Sequence, residues 1–207
     1  MQSVQFTSIG PERLRWVLGD HLGYLTDRVE TARLIGRRAA ETERLDFGAL
    51  RHIKKLELFD CELSPSKLST LARLRQLQSL RLLRLKIDVQ DLAFLDKLPG
   101  LSELTLWGKW VPKASFEQIG RLKHLKVLYL INTGMTDADL QQLQGLSSLE
   151  RLYLYNTRIT DARLEHLQGL KSLRVLWING LPHGSSDVAK LKQAIPGLQV
   201  NQGTPPP

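Results

Sequence analysis

Residues 125–148 read LKVLYLINTGMTDADLQQLQGLSS, and residues 149–172 read LERLYLYNTRITDARLEHLQGLKS. The two lines share the frame LxxLxLxNTxxTDAxLxxLQGLxS, which restarts after 24 residues. A fixed period of this length marks stacked repeats, in which each unit buries an apolar face that it cannot bury alone. The rest of the chain can be laid out in the same register.

Counting Ile53 as position one, that position holds Ile53, Leu77, Leu101, Leu125, Leu149 and Leu173. Position four holds Leu56, Leu80, Leu104, Leu128, Leu152 and Leu176, and position six holds Leu58, Leu82, Leu106, Leu130, Leu154 and Ile178. Apolar residues alternating at positions four and six predict a short strand with those side chains inward. Position twelve holds Ser64, Asp88, Pro112, Thr136 and Thr160, mostly helix-capping types, with Pro65 following one of them. Apolar residues at helical spacing come next, as in Leu140/Leu143/Leu146 and Leu164/Leu167/Leu170. Each unit is therefore strand, turn and short helix, with helices predicted to open after Ser64, Asp88, Thr136 and Thr160. Gly108, Trp110 and Pro112 predict the least regular helix in the unit running from Trp107 to Phe116.

Residues 53–172 hold strict register. Residues 29–52 fit weakly through Val29, Ala32, Leu34, Phe47 and Leu50, as a degenerate first repeat. Residues 173–200 form a divergent last unit in which Ile195 and Leu198 run one residue late, with an edge strand expected within 195–200. Upstream, Leu14, Leu18, Leu22 and Leu25 lie at helical spacing behind a Gly10-Pro11-Glu12 start. Residues 1–28 thus read as a helical cap over the first rung. Residues 201–207 read as a disordered, Pro-rich tail.

With LxxLxLxxT, a helix and then Gly-Leu recurring over 29–200, the chain resembles the leucine-rich-repeat family. The form Thr157-Arg158-Ile159-Thr160-Asp161 looks most like repeats of bacterial members. The resemblance implies an α/β solenoid: a curved arc with a parallel sheet on the concave face and short helices on the convex face. It also implies protein binding rather than catalysis. In relatives, a segment like Gly10–Asp20 sometimes follows a membrane anchor. The Asn common at position nine is absent here, where Cys61, Leu85, Lys109, Thr133, Thr157 and Leu181 stand.

Stacked units share one core, so 207 residues are read as a single repeat domain with its cap. No apolar run is long enough to span a membrane, and Met1–Gly10 lacks the pattern of a signal peptide. Cys61 is the only cysteine, so no internal disulfide can form, which suits a reducing compartment and a cytoplasmic location. The histidines His21, His52, His124, His166 and His183 do not cluster. His52 and His124 share a position but stand three units apart, about 14 Å at sheet spacing, too far for one metal. Phosphate loops, nucleophile elbows and zinc patterns are missing. Asp137, Asp139 and Asp161 are read as acids at helix starts, and Cys61 as a core residue. No catalytic residue, metal ligand or cofactor is expected.

The outward strand positions carry the functional reading. Position five holds Glu57, Arg81, Thr105, Tyr129, Tyr153 and Trp177, and position seven holds Phe59, Leu83, Trp107, Ile131, Tyr155 and Asn179. Stacking turns each position into a ladder. Such ladders can serve only cross-strand packing, but Trp and Tyr facing water are also enriched at interfaces. If six such aromatics were each half exposed, the patch would be on the order of 500 Å². Phe59, Trp107, Tyr129, Ile131, Tyr153, Tyr155 and Trp177 are therefore the candidate partner-binding residues.

Of the formal net charge of +8, residues 28–86 supply most, with fourteen Lys/Arg, among them Arg37 and Arg38, against seven acids. That is either a solvated surface or a face for an acidic protein partner. Nucleic acid is a third reading, without a supporting motif. A binding module that takes a protein on its concave face leads. The alternative is an adaptor or regulatory subunit of an enzyme system, ubiquitin-ligase-like or toxin-regulating.

Overall fold

The computed structural model describes residues 4–8, 29–36, 46–50, 52–86, 92–179 and 185–203. Among these residues, nine strands form one open sheet in sequential order. They are β1 (Val4–Ser8), β2 (Val29–Ile35), β3 (Lys55–Phe59), β4 (Ser79–Leu83) and β5 (Glu103–Trp107). β6 (Val127–Ile131), β7 (Arg151–Tyr155), β8 (Val175–Ile178) and β9 (Gln199–Asn201) complete it. From β2 to β9 every neighbouring pair is parallel. The 24-residue period becomes lateral register, so that Leu80 faces Leu104, Leu104 faces Leu128, and Leu128 faces Leu152. This is the α/β solenoid expected from the repeats.

Each strand of the regular units begins two residues after position one. The position-one residue instead closes the turn out of the preceding helix, as where Leu77 N–H donates to the Leu74 carbonyl at 2.9 Å. Ile53, Leu77, Leu101, Leu125, Leu149 and Leu173 are buried there. Positions four and six, including Leu128 and Leu152, join them and helix residues such as Leu71, Leu95, Leu143 and Leu167 in a continuous core.

Ser64 and Thr136 cap their helices as their residue types predict. Ser64 Oγ accepts from Lys67 N–H at 3.1 Å at the start of α1 (Pro65–Ser69). Thr136 and Asp139 form a capping box on α3 (Asp137–Leu140). After Thr160, two short 3₁₀ turns broken by a kink at Arg163 cover Asp161–Leu167, and α4 (Ser186–Ala194) follows Ser185. Asp88 lies outside the described residues; a 3₁₀ turn, Ala93–Lys97, serves that unit.

The unit expected to be least regular instead holds α2 (Ala114–Gly120), seven residues long against five for α1 and four for α3. Trp110 takes up the turn by folding over Gly108, its indole Nε1–H donating to the Trp107 carbonyl at 3.0 Å. Pro112 then precedes the helix, where its missing N–H costs nothing. At the far end Gly120 lies against the next unit so closely that a Cβ would sit 1.8 Å from the Gln142 carbonyl oxygen.

A second ladder runs along the strand exits. Position eight adopts positive φ at Gly36, Asp60, Arg84, Gly108, Asn132 and Asn156, a conformation open to Gly and tolerated by Asn and Asp. The turn lets its N–H reach the position-seven carbonyl of the next strand. The bonds run Gly36 to Phe59, Asp60 to Leu83, Arg84 to Trp107, Gly108 to Ile131 and Asn132 to Tyr155, at 2.7–3.0 Å. At Asn156 the side chain of Asn179 substitutes, its Oδ1 accepting at 2.7 Å. The repeated Asn thus acts at position eight rather than nine, and Asn156 Nδ2 donates to Asn132 Oδ1 at 3.1 Å.

At the ends, Val4–Ser8, read as part of a helical cap, is a strand antiparallel to β2. Its alternating V-Q-F-T sequence suits a sheet edge. The helix read over 11–25 lies outside the described residues, as do Leu181 and the Pro-rich residues 204–207. β9 reaches Asn201, one residue past the limit at 200, because Asn201 pairs with Trp177.

Candidate functional site

Because the Leu side chains at positions four and six point into the core, positions three, five and seven face away from it. Position five joins Arg33, Glu57, Arg81, Thr105, Tyr129, Tyr153 and Trp177 in register, and position seven joins Ile35, Phe59, Leu83, Trp107, Ile131 and Tyr155. The face divides into a charged half on β2–β4 and an aromatic half on β5–β8, with buried Thr105 between them at position five.

In the aromatic half, Tyr129 and Tyr153 stack with ring centroids 4.0 Å apart and planes 7° from parallel. Strands about 4.8 Å apart bring flat rings at equal positions to stacking distance. With Tyr129 on one side and Trp177 in register on the other, Tyr153 is only 5 % exposed. This corrects the expectation that Tyr153 lies open: its ring serves cross-strand packing. Tyr129 has its hydroxyl pKa pushed up to about 12, first by burial and then by hydrogen bonding with Tyr153.

At position seven, Phe59 and Trp107 meet edge to face, centroids 6.3 Å apart, across the strand between them. Leu83 on that strand is left 3 % exposed although it points outward. The guanidinium carbon of Arg84 lies 5.7 Å from the Phe59 ring centroid, a cation–π approach. Ile131 stands in register with Trp107 and Tyr155. Phe59, Trp107, Tyr129, Ile131, Tyr155 and Trp177 all keep partial exposure; of the seven candidates, Tyr153 alone does not.

The sequence placed an excess of basic residues in 28–86, Arg33 and Arg81 among them, but did not single out the triplet that stands on this face. Glu57 lies between two arginines at its own position on neighbouring strands, with Oε1 2.5 Å from Arg33 Nε and Oε2 3.0 Å from Arg81 Nη1. The signal was present in the 24-residue spacing of Arg33, Glu57 and Arg81, but a charge tally along the chain hides it. Arg37 and Arg38 lie outside the described residues.

The groups that could suggest chemistry are engaged elsewhere. Asp139 Oδ2 accepts from the Thr136 N–H at 2.9 Å and from its hydroxyl at 2.7 Å. Asp137 reaches the next unit, accepting from the Thr160 N–H at 2.7 Å and its hydroxyl at 2.8 Å. Cys61 is buried, with Sγ 3.6 Å from the Leu34 carbonyl and 3.4 Å from that of Phe59. Among the described residues no group of three or more His, Cys, Asp or Glu could hold a metal ion. No helix among them is long and apolar enough to cross a membrane.

Residues 118–180 match the family model described as Leucine rich repeat. Among curated proteins none matches the chain by sequence. Among solved structures, an internalin (inlF) from Listeria monocytogenes is similar over 78% of this chain and 44% of its own, at 20% identity and TM-score 0.56. An internalin C2 (inlC2) from the same organism is similar over 84% of this chain and 81% of its own, at 19% identity and TM-score 0.53. A leucine-rich-repeat protein of Leptospira interrogans aligns over 85% of this chain and 49% of its own, at 21% identity and TM-score 0.53. The chain thus spans less than half of the inlF and Leptospira chains, and at these identities the likeness is one of fold. Residues 118–180 thus carry leucine-rich repeats by sequence, and the parallel rungs and shared architecture give the chain the leucine-rich-repeat fold.

Proposed function

We propose that the chain is a non-enzymatic protein-binding module whose partner docks on the outward face of the sheet, over Phe59, Trp107, Tyr129, Ile131, Tyr155 and Trp177. The observation that carries this reading is the partial exposure of these six side chains on one face. The core beneath is closed without them, by the Leu positions. Apolar rings left partly in water cost hydration free energy and are the surfaces that association relieves. Tyr153 and Leu83 show what packing alone does on this face: it buries them. The neighbours that stay open are the ones left for a partner. The single, buried Cys61 suits a reducing compartment and supports a cytoplasmic setting.

The test is affinity capture from the native cell with the intact chain, followed by titration of the recovered partner against Trp107→Ala and Tyr155→Ala. Each should weaken binding by roughly tenfold or more, as buried aromatic anchors do, with the circular dichroism spectrum unchanged. Unaltered affinity in both variants would remove this face as the site.

A further inference from the structure

We infer that the partner is a protein segment pairing acidic side chains, seated on Arg33, Lys55 and Arg81, with an apolar anchor held by the adjoining aromatic half. This rests on the sheet-face reading and specifies the chemistry of what docks there.

The geometry of the charged half carries it. The Glu57 side chain is 13 % exposed, whereas those of Arg33 and Arg81 on either side are 44 % and 49 % exposed. The carboxylate therefore sits low between two guanidiniums that stand above it. Arg33 is engaged through Nε and Arg81 through Nη1, and a guanidinium carries five N–H donors in a fixed fork. Each therefore has further N–H donors besides the nitrogen nearest Glu57. Planar forks of this kind suit incoming carboxylates.

Charge points the same way. Lys55, on the same strand as Glu57, is exposed and has no ion-pair partner among the described residues. Outward positions three, five and seven of β2–β4 thus hold three cations against the single Glu57. Glu103 is the next acid on this face, on β5. Two positive charges remain uncompensated beside the aromatic half.

Spacing links the halves. Arg81 and Tyr129 share position five two strands apart, roughly 10 Å at sheet spacing and about three residues of extended chain. The complementary segment therefore carries Asp or Glu some three residues from an aromatic or aliphatic anchor. The rings argue against a single-stranded nucleic acid, which needs open aromatic faces. Tyr129 and Tyr153 cover each other, and Phe59 and Trp107 pack edge to face.

The experiment pans a random peptide display library against the intact chain and titrates an enriched peptide by fluorescence anisotropy at several salt concentrations. Enriched peptides should combine Asp or Glu with a nearby aromatic or Leu. Arg33→Gln with Arg81→Gln should weaken the chosen peptide by roughly tenfold or more and flatten its salt dependence. Glu57→Gln alone, which frees both guanidiniums, should tighten it. That opposite sign separates charge recognition from damage to the fold. Enrichment without acidic bias, or a peptide indifferent to all three changes but weakened by Trp107→Ala, would overturn this inference while leaving the sheet-face reading intact. Peptides indifferent to the arginine and tryptophan changes alike would overturn both. An oligothymidylate that competes equally well would assign the charged half to nucleic acid instead.

Discussion

Tyr153 lies flat against Tyr129 on the neighbouring strand, ring centroids 4.0 Å apart. Tyr153 is buried by its neighbours while Tyr155, two residues along the same strand, stays partly open. Tyr153→Ala should therefore act on stability, costing about 3 kcal/mol through the cavity it leaves and the lost stacking. Tyr155→Ala should leave stability within about 1 kcal/mol and act on binding. Urea titration of both variants checks the division.

The same pair sets a pH limit. Folding raises the Tyr129 pKa from 10.0 to about 12, so the folded state holds this proton more tightly than the unfolded state. The resulting stabilisation is fully present below pH 10 and is lost as pH rises toward 12. Ultraviolet titration should show one phenol ionising late. In Tyr153→Phe, which removes the hydrogen-bonding hydroxyl, that late ionisation should move to lower pH.

Leu152 is fully buried between the sheet and the helices. Leu152→Ala should cost on the order of 2–5 kcal/mol. Each rung leans on the next, so hydrogen exchange should quicken in β6 and β8 as well as in β7. A loss confined to β7 would contradict the shared core.

Gly120 and Gly169 make a matched pair where the helices give way to the segments that lead to the next strand. A Cβ on Gly120 would lie 1.8 Å from the Gln142 carbonyl oxygen, whereas one on Gly169 would meet nothing within 4 Å. Gly120→Ala should destabilise by about 1–3 kcal/mol through displaced backbone, despite alanine's better helix propensity. Gly169→Ala should stay within about 0.5 kcal/mol. Thermal melts of the two variants decide it.

Asp137 ties one unit to the next through the N–H and hydroxyl of Thr160. Asp137→Ala removes both bonds and should cost about 1 kcal/mol. The loosening should centre on the turn before Asp161–Leu167, read by faster exchange of the Thr160 amide.

Much of this molecule follows from the order of residues alone. Leu at positions one, four and six every 24 residues determines strand, turn and helix, and determines which side of each strand closes the core. Ser64 and Thr136 announce their helices for the same reason: cap chemistry is local, settled within four residues. What depends on lateral neighbours was not determined in that way. Tyr153 and Leu83 occupy outward positions, yet rings arriving from adjacent strands bury them. Arg33, Glu57 and Arg81 look like scattered charges until the sheet sets them side by side. Gly120 becomes indispensable only where the next unit's backbone reaches it. The pattern along the chain chooses a face for each side chain; how much of that face stays open depends on what the neighbouring rungs carry, and only their stacking decides it.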